Sequence, residues 1–329
     1  MKAIVQGDYG TAPEEVLRIA QLPRPTVGDG EVLVRVRAAS VDRGTWHLMA
    51  GLPYPMRAMG FGLRRPKAAN PGRCLAGTVE AVGKDVTEMG LGDDVYGTCD
   101  GSFAEYVRTS AALLAPKRAN LSFEQAASVP VSGVAALQAV RDRAQVQAGQ
   151  KVLVIGASGG VGSFAVQIAK AFGAEVTGVC STAKLDLARG LGADYVVDYA
   201  SADFADGEHR YDAIIDTGGN RRLSDLRRAL TPQGRLVIVG GETDGRWLGG
   251  ADRLLRAPLL SPFVSQKLSA LVTLENGKDL AVLGELLGTG KVSPAIDREY
   301  PLSEVPAAVR YVQEGKARGK VVITVSAQA

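Results

Sequence analysis

The chain has 329 residues, 46% hydrophobic and 22% charged, a globular balance with length enough for two cores rather than one. Its 38 basic and 35 acidic residues are mostly interspersed, for a formal net charge of +3, which argues against a nucleic-acid surface. Cys74, Cys99 and Cys180 fit neither a disulfide framework nor a zinc knuckle, and no apolar leader or eighteen-residue apolar run occurs, so a reducing, cytoplasmic setting without a membrane span is expected.

Short strands broken by glycine and proline are predicted over the first 125 residues: Ala3 to Gln6, Val32 to Ala39, Gly77 to Val82, Asp94 to Tyr96 and Phe103 to Val107. Between Tyr54 and Asn70 lie Arg57, Arg64, Arg65 and Lys67 without an acid, a run that suits either an anionic ligand or a solvated loop. From Ser128 onward, Val- and Ile-rich runs alternate with helical segments: Lys151 to Ile155, Glu175 to Val179, Tyr195 to Val197, Tyr211 to Ile215 and Arg235 to Val239. Continuous apolar runs of this kind belong to strands buried on both faces, in βαβ units of a doubly wound parallel sheet. Helical pattern dominates from about Ser265 until a last strand at Lys320 to Val325. The expected α/β organisation is a β-rich lobe over 1–125, a doubly wound domain over 126–264, and a return to the first lobe over 265–329.

The segment KVLVIGASGGVGSFAVQIAKAFGA, beginning at Lys151, carries a phosphate-binding turn in its proper context, between a strand and an amphipathic helix. Gly156 suits the tight turn, Gly159 and Gly160 let backbone amides approach a pyrophosphate, and Gly162 permits close packing of helix on sheet. The helix carries Val161, Ala165, Ile168, Ala169 and Phe172 on one face and ends at Gly173. Its amino-terminal amides and dipole favour a diphosphate. Expected cofactor contacts from the turn are Gly156, Ser158, Gly159, Gly160 and Val161.

At the end of the second strand, where an acid would bind the adenosine ribose of NAD, the chain reads VTGVCSTAKLD. Hydroxyl groups with a cation at Lys184 suit a 2′-phosphate, so Ser181 and Lys184 point to NADP(H); Ser181 also stands where it would cap the next helix. Loops beyond the later strands, Asp216 to Gly219 and Gly240 to Gly241, are expected to complete the cleft, with Gly218, Gly240 and Gly241 against the ribose and nicotinamide.

ASVDRGTW at 39–46, PGRCLAGTVEAVG at 71–83, GDDVYG at 92–97, GSFAEYV at 101–107, AASVPVSGVAALQA at 126–139, GASGGVG at 156–162 and the closing LSEVPAAVRYVQEGKARGKVVITV together resemble the medium-chain dehydrogenase/reductase superfamily, in its zinc-free quinone oxidoreductase branch. The resemblance implies a GroES-like catalytic domain built from both chain ends, a central Rossmann domain and a homodimer. It further implies Tyr199 beside the adenosine half of the cofactor, and Arg318 with Lys320 near its phosphates.

Zinc-containing relatives place three ligands, commonly Cys, His and Cys, at the positions of Asp42, Arg73 and Ser132, and they carry a lobe of four closely spaced cysteines that is missing here. No metal is therefore expected. Asp42 and Arg73 are predicted to meet as an ion pair in the vacated site, either filling it or offering the guanidinium to a substrate carbonyl. Close relatives carry Asn at position 42 and a carboxylate at 74. Among Tyr54, Trp46 and Ser132, expected by resemblance near the pocket, Tyr54 is the best proton donor and Trp46 a wall residue.

The resulting expectation is a zinc-independent, NADPH-dependent reductase acting on a quinone or an α,β-unsaturated carbonyl. The alternatives are a carbonyl/alcohol oxidoreductase, or an NADPH-binding sensor without turnover.

Overall fold

Valine- and isoleucine-rich runs between glycine and proline breaks form fifteen strands among the described residues: β1 (Lys2–Gln6), β2 (Leu17–Gln21), β3 (Glu31–Val41), β4 (Cys74–Val82), β5 (Asp94–Thr98), β6 (Tyr106–Ser110), β7 (Leu114–Pro116), β8 (Lys151–Ile155), β9 (Glu175–Cys180), β10 (Tyr195–Asp198), β11 (Tyr211–Asp216), β12 (Leu230–Ile238), β13 (Lys267–Ala270), β14 (Ile296–Pro301) and β15 (Lys320–Thr324). The structure is a computed structural model and describes residues 1–240, 245, 247, 250 and 252–325. It divides into two units: Met1–Ser132 with Glu275–Gly288 and Pro294–Ala329, and Gly133–Leu274 with Thr289–Ser293.

The first unit is the β-rich one. Its seven-stranded sheet runs β14-β15-β3-β4-β5-β7, with β6 also on β3, and β1 and β2 form a separate antiparallel pair. The eleven-residue β3 pairs with β6 over its first half and with β15 over its second, so the end of the chain is sewn into the beginning. Val34, Val36, Leu75, Val95, Phe103, Val305, Val321 and Ile323 pack in one core. Phe103, expected to open a strand, instead plugs this core fully buried, while its carbonyl accepts from Ile4 N–H at 2.8 Å; the strand begins only at Tyr106.

The second unit holds a six-stranded sheet in which every pairing is parallel, ordered β10-β9-β8-β11-β12-β13. Successive strands step outward from β8 in one direction and from β11 in the other. The order therefore reverses between β8 and β11, the place where open α/β sheets receive ligands beyond their carboxyl ends.

The division of the chain departs from the expected boundaries at 125 and 264 for identifiable reasons. The Phe123–Ala127 helix packs on β3 and β4, and Ser40 Oγ donates to Ala127 O at 2.9 Å, which holds residues through Ser132 in the first unit. At the other boundary β13 lies within a stretch that reads as helical, and its parallel pairing with β12 extends the second unit to Leu274. Gln167 brings Thr289–Ser293 back to that unit through paired bonds of 3.0 and 2.8 Å to the Ser293 backbone.

Candidate functional site

In the second unit the glycine turn has the geometry its sequence implies. Gly156 sits at φ +80°, and a Cβ there would lie 2.5 Å from Thr217 Oγ1; a Cβ on Gly162 would lie 2.0 Å from Gly156 O. Only glycine fits at both positions, against the Thr217 hydroxyl at one and against backbone at the other. The helix Gly160–Ala171 starts with Gly159 at its cap and directs its first, unpaired amides beyond the carboxyl end of β8. Those amides, the helix dipole and the open backbone at Gly159 and Gly160 fit a dinucleotide diphosphate. Val161 is half-buried at the mouth of the turn, and Ser158, 5% exposed, hydrogen-bonds the Cys180 thiol. Burial, with the Asp198 charge, holds that thiol above its ordinary range.

The corner at the end of β9 brings Ser181, Lys184 and Tyr199 together with an acid absent from the sequence expectation. Ser181 occupies the cap position of the turn Thr182–Lys184 without a side-chain cap bond, its carbonyl accepting from Lys184 N–H at 2.9 Å. Tyr199, 57% exposed, donates its backbone N–H to Cys180 O at 3.2 Å. Between them Asp198, paired in register with Cys180, accepts from Thr182 Oγ1 at 2.5 Å and from Ala200 N–H at 2.9 Å. The Thr182 bond first, then the Ala200 amide, hold the Asp198 carboxyl below its usual range. Its signal was available: the acid lies at the end of the third strand of the unit rather than the second.

Gly218 and Gly240 meet at the end of β11, donating to Asp216 Oδ1 at 3.1 Å and to Asp216 O at 3.4 Å. Gly241 lies outside the described residues.

Four side chains converge in the first unit. Asp42 follows β3 and precedes the helix Arg43–Ala50; its Oδ1 accepts from Ser132 Oγ at 2.8 Å and from Lys320 Nζ, and its Oδ2 accepts from Cys74 Sγ at 3.1 Å. Lys320 Nζ also donates to Ser132 Oγ at 3.0 Å. The Lys320 side chain is 1% exposed and that of Asp42 11%. Burial pushes the Asp42 carboxyl up, but the Lys320 charge and hydrogen bond, with the Cys74 and Ser132 bonds, leave it below its ordinary value. Burial and the Asp42 charge push the Cys74 thiol far up, so it stands as a neutral donor.

The expected Asp42–Arg73 pair does not form. Arg73 turns to the carboxylates of Glu275 and, at 3.3 Å, Asp100, and it lines a cleft of about 350 Å³ with Gln6, Thr45, Phe61, Lys67 and Asn70. Arg73 precedes β4, whose first residue Cys74 supplies the thiol that meets Asp42, and its guanidinium is taken up by the two carboxylates instead. Lys320, expected near phosphates, takes the place assigned to Arg73. Arg318 is exposed, in the first unit, its backbone N–H donating to Asp297 Oδ2 at 2.9 Å. Tyr54 is half-buried with the Arg57 guanidinium 4.9 Å from its ring centre, and Arg43 lies 5.2 Å from that of Trp46.

Residues 28–119 match the alcohol dehydrogenase GroES-like domain, and residues 191–323 match a zinc-binding dehydrogenase family. A 2-methylene-furan-3-one reductase from Solanum lycopersicum is 32% identical, over 98% of this chain and 79% of its own. An NADPH-dependent alkenal/one oxidoreductase of Arabidopsis thaliana is 31% identical over the same shares. The solved quinone oxidoreductase from Coxiella burnetii superposes with a TM-score of 0.84 at 30% identity, covering 99% of both chains. The chain belongs to the medium-chain dehydrogenase/reductase superfamily, in its quinone oxidoreductase-like branch.

Within this oxidoreductase superfamily the first unit is the GroES-like domain and the second the Rossmann-like one. Beyond Asp198, the partners that reading the chain missed are supplied from far along it. Lys320 comes from 278 positions beyond Asp42, and Glu275 from 202 beyond Arg73. Among the described residues one further grouping could hold a cation: Asp206, Glu208 and His209 have ligand atoms within 4.8 Å of one another, all three exposed. No helix among the described residues is long and apolar enough to cross a membrane.

Proposed function

We propose that the chain is an NADPH-dependent reductase that delivers hydride to a quinone or an α,β-unsaturated carbonyl without a metal. The observation that carries the reading is the glycine turn of the Rossmann-like unit, whose Gly156 and Gly162 have no room for a side chain and whose helix amides are presented to a diphosphate. Relatives named as alkenal/one and quinone oxidoreductases and a 2-methylene-furan-3-one reductase, similar along nearly the whole chain, support the substrate class. NADP over NAD rests on Ser181 and Lys184, with Tyr199 beside the adenosine; Asp198 at the same corner tempers that preference, because its carboxylate repels a 2′-phosphate.

Bound there, a nicotinamide supplies hydride; the residues of the chain orient it, exclude water and stabilise charge on the acceptor. Gly156, Ser158, Gly159, Gly160, Val161, Gly218 and Gly240 shape the cofactor's bed. Metal independence is supported by the buried ammonium of Lys320, which sits on the carboxylate and the hydroxyl that would otherwise face a cation. Asp42, Ser132 and Lys320 thus make a closed polar cluster, while Tyr54 is the candidate proton donor. Arg73, held between Glu275 and Asp100, is given no carbonyl-polarising role.

A homodimer is supported by the edge strand β13, beside which Leu259, Phe263, Val272 and Leu274 are each more than 70% exposed. The three free, buried cysteines suit a reducing compartment such as the cytoplasm.

The test is oxidation of NADPH and NADH across a panel of quinones, enals and enones, with products identified. A quinol or a saturated carbonyl product is expected, faster with NADPH. An allylic alcohol would identify carbonyl reduction instead, and tight NADPH binding without oxidation by any acceptor would identify a sensor.

A further inference from the structure

At the end of β11, Asp216 is fully buried and divides its two oxygens between two tasks. Oδ1 accepts from the backbone of Gly218 at 3.1 Å and Gly219 at 2.9 Å, fixing the turn; Oδ2 accepts from Arg253 Nη2 at 2.5 Å. Arg253 is the second residue of the helix Asp252–Leu260, and the helix anchors itself through Ala257, fully buried in the unit's core. The Arg253 side chain is only 10% exposed, yet its Nε and Nη1 have no hydrogen-bond partner among the described residues.

Two buried, unsatisfied donors on one guanidinium are costly unless something accepts from them. Their position says what that is. Asp216 pairs in register with Ile155 on one side and Ile238 on the other, so the guanidinium stands beyond the carboxyl edge at the reversal of strand order between β8 and β11. A dinucleotide whose diphosphate lies over the turn after β8, and whose adenosine lies toward β9, extends its other half toward β11 and β12. The Asp216–Arg253 pair is neutral as a whole and suits an uncharged acceptor, a ribose hydroxyl or a carboxamide oxygen, better than a second anion.

We propose that a free donor of Arg253, Nε or Nη1, holds an acceptor on the nicotinamide-side half of the dinucleotide, with Asp216 fixing the guanidinium and the adjoining turn together. The assignment rests on reading the Rossmann-like unit as a dinucleotide site and adds a residue that no glycine motif contains.

Arg253→Lys keeps a cation on Asp216 and removes the planar fork. Dissociation constants for NADPH and for adenosine 2′,5′-bisphosphate are measured for wild type and variant by calorimetry. Expected is a weakening of NADPH by about tenfold or more with the bisphosphate unchanged. NADPH binding that is unchanged, or that weakens in parallel with the bisphosphate, overturns the role of Arg253 while leaving the dinucleotide site standing. A wild-type protein that binds neither overturns both. Should the variant not fold, the wild type decides: in protein labelled with ¹⁵Nε-arginine, a buried Nε–H resonance moves on adding NADPH and stays on adding the bisphosphate, and its failure to do so refutes the assignment.

Discussion

Replacing Lys320 by Met takes the ammonium off Asp42 while leaving an unbranched stem of similar length in a slot that is 1% exposed. Asp42 keeps only the Ser132 hydroxyl and the Cys74 thiol as side-chain donors, and the burial that already pushes its carboxyl up is no longer opposed by a cation. Removing one partner of a buried pair costs about 3–5 kcal/mol. Protonation sets a ceiling: neutralising a carboxyl of ordinary pKa about 3.9 at pH 7 spans about three units at about 1.4 kcal/mol each, so the loss is capped near 4 kcal/mol. The pH dependence gives the sharper check. In wild type the Asp42 pKa is lowered on folding, so its contribution is present above the ordinary carboxyl range and is lost as pH falls through the depressed value. In Lys320→Met the carboxyl pKa is raised, so the penalty is full near neutrality and shrinks on acidification toward pH 4. Denaturant titrations at pH 7 and pH 5 are therefore expected to show the gap between wild type and variant closing by up to about 2.7 kcal/mol. A gap below about 1 kcal/mol at pH 7, or one equal at both pH values, would refute the buried pair. Adding Asp42→Asn to Lys320→Met is expected to restore most of the loss, because an amide carries no charge to strand.

Gly162→Ala would place a methyl 2.0 Å from Gly156 O, and denaturation is expected to show a loss of about 2 kcal/mol or more, whereas Gly159→Ala, at 3.3 Å from the same oxygen, is expected to be mild. Asp198→Asn removes a carboxylate beside Thr182 and is expected to raise the ratio of kcat/KM for NADPH over NADH, with Lys184→Ala lowering it; unchanged ratios in both would move the 2′-phosphate away from this corner. Arg73→Ala is expected to leave kcat/KM within a fewfold of wild type on every accepted quinone or enone, since its guanidinium is committed to Glu275 and Asp100; a loss of a hundredfold would return it to the chemistry. Dialysis against a strong chelator is expected to leave activity intact and to release no stoichiometric zinc in elemental analysis.

The glycine turn was legible because its requirements are local: a φ of +80° at Gly156 and a 2.0 Å approach at Gly162 are imposed within seven residues, and no other side chain satisfies them. The parallel strands were legible for a related reason, as burial on both faces leaves continuous runs such as VLVI before Gly156. β13 and β14 were not, because KLSA and IDREYP at a sheet edge need neither run nor alternation, and their pairing is set by strands far away in sequence. The cluster around Asp42 was half legible. Resemblance brought positions 42 and 132 together, and the hydroxyl and carboxylate do meet at 2.8 Å. The cation was misassigned because Lys320 reaches Asp42 only through the antiparallel register of β15 on β3, where Val321 lies opposite Val41.

Asp42 and Asp216 illustrate how the same residue at the end of a strand reaches opposite results according to its cation. Each joins a buried positive group to the start of the next segment: Asp42 by receiving Lys320 ahead of the helix Arg43–Ala50, Asp216 by receiving Arg253 beside the turn at Gly218 and Gly219. An ammonium is a compact donor that turns to whatever acceptors surround it, and Lys320 finds both the carboxylate and Ser132. A guanidinium is a rigid fork whose donors point in fixed directions, and once Arg253 Nη2 is placed on Asp216, Nε and Nη1 cannot turn to the same oxygen. The lysine therefore closes its site and the arginine leaves one open. Exchanging the two should exchange the outcomes: Lys320→Arg is expected to overfill its pocket and destabilise the first unit, and Arg253→Lys to preserve the fold of the second while surrendering cofactor affinity. Melting temperatures and NADPH titrations on the two single variants separate these effects, and a Lys320→Arg protein as stable as wild type would contradict the tight, saturated geometry around Asp42.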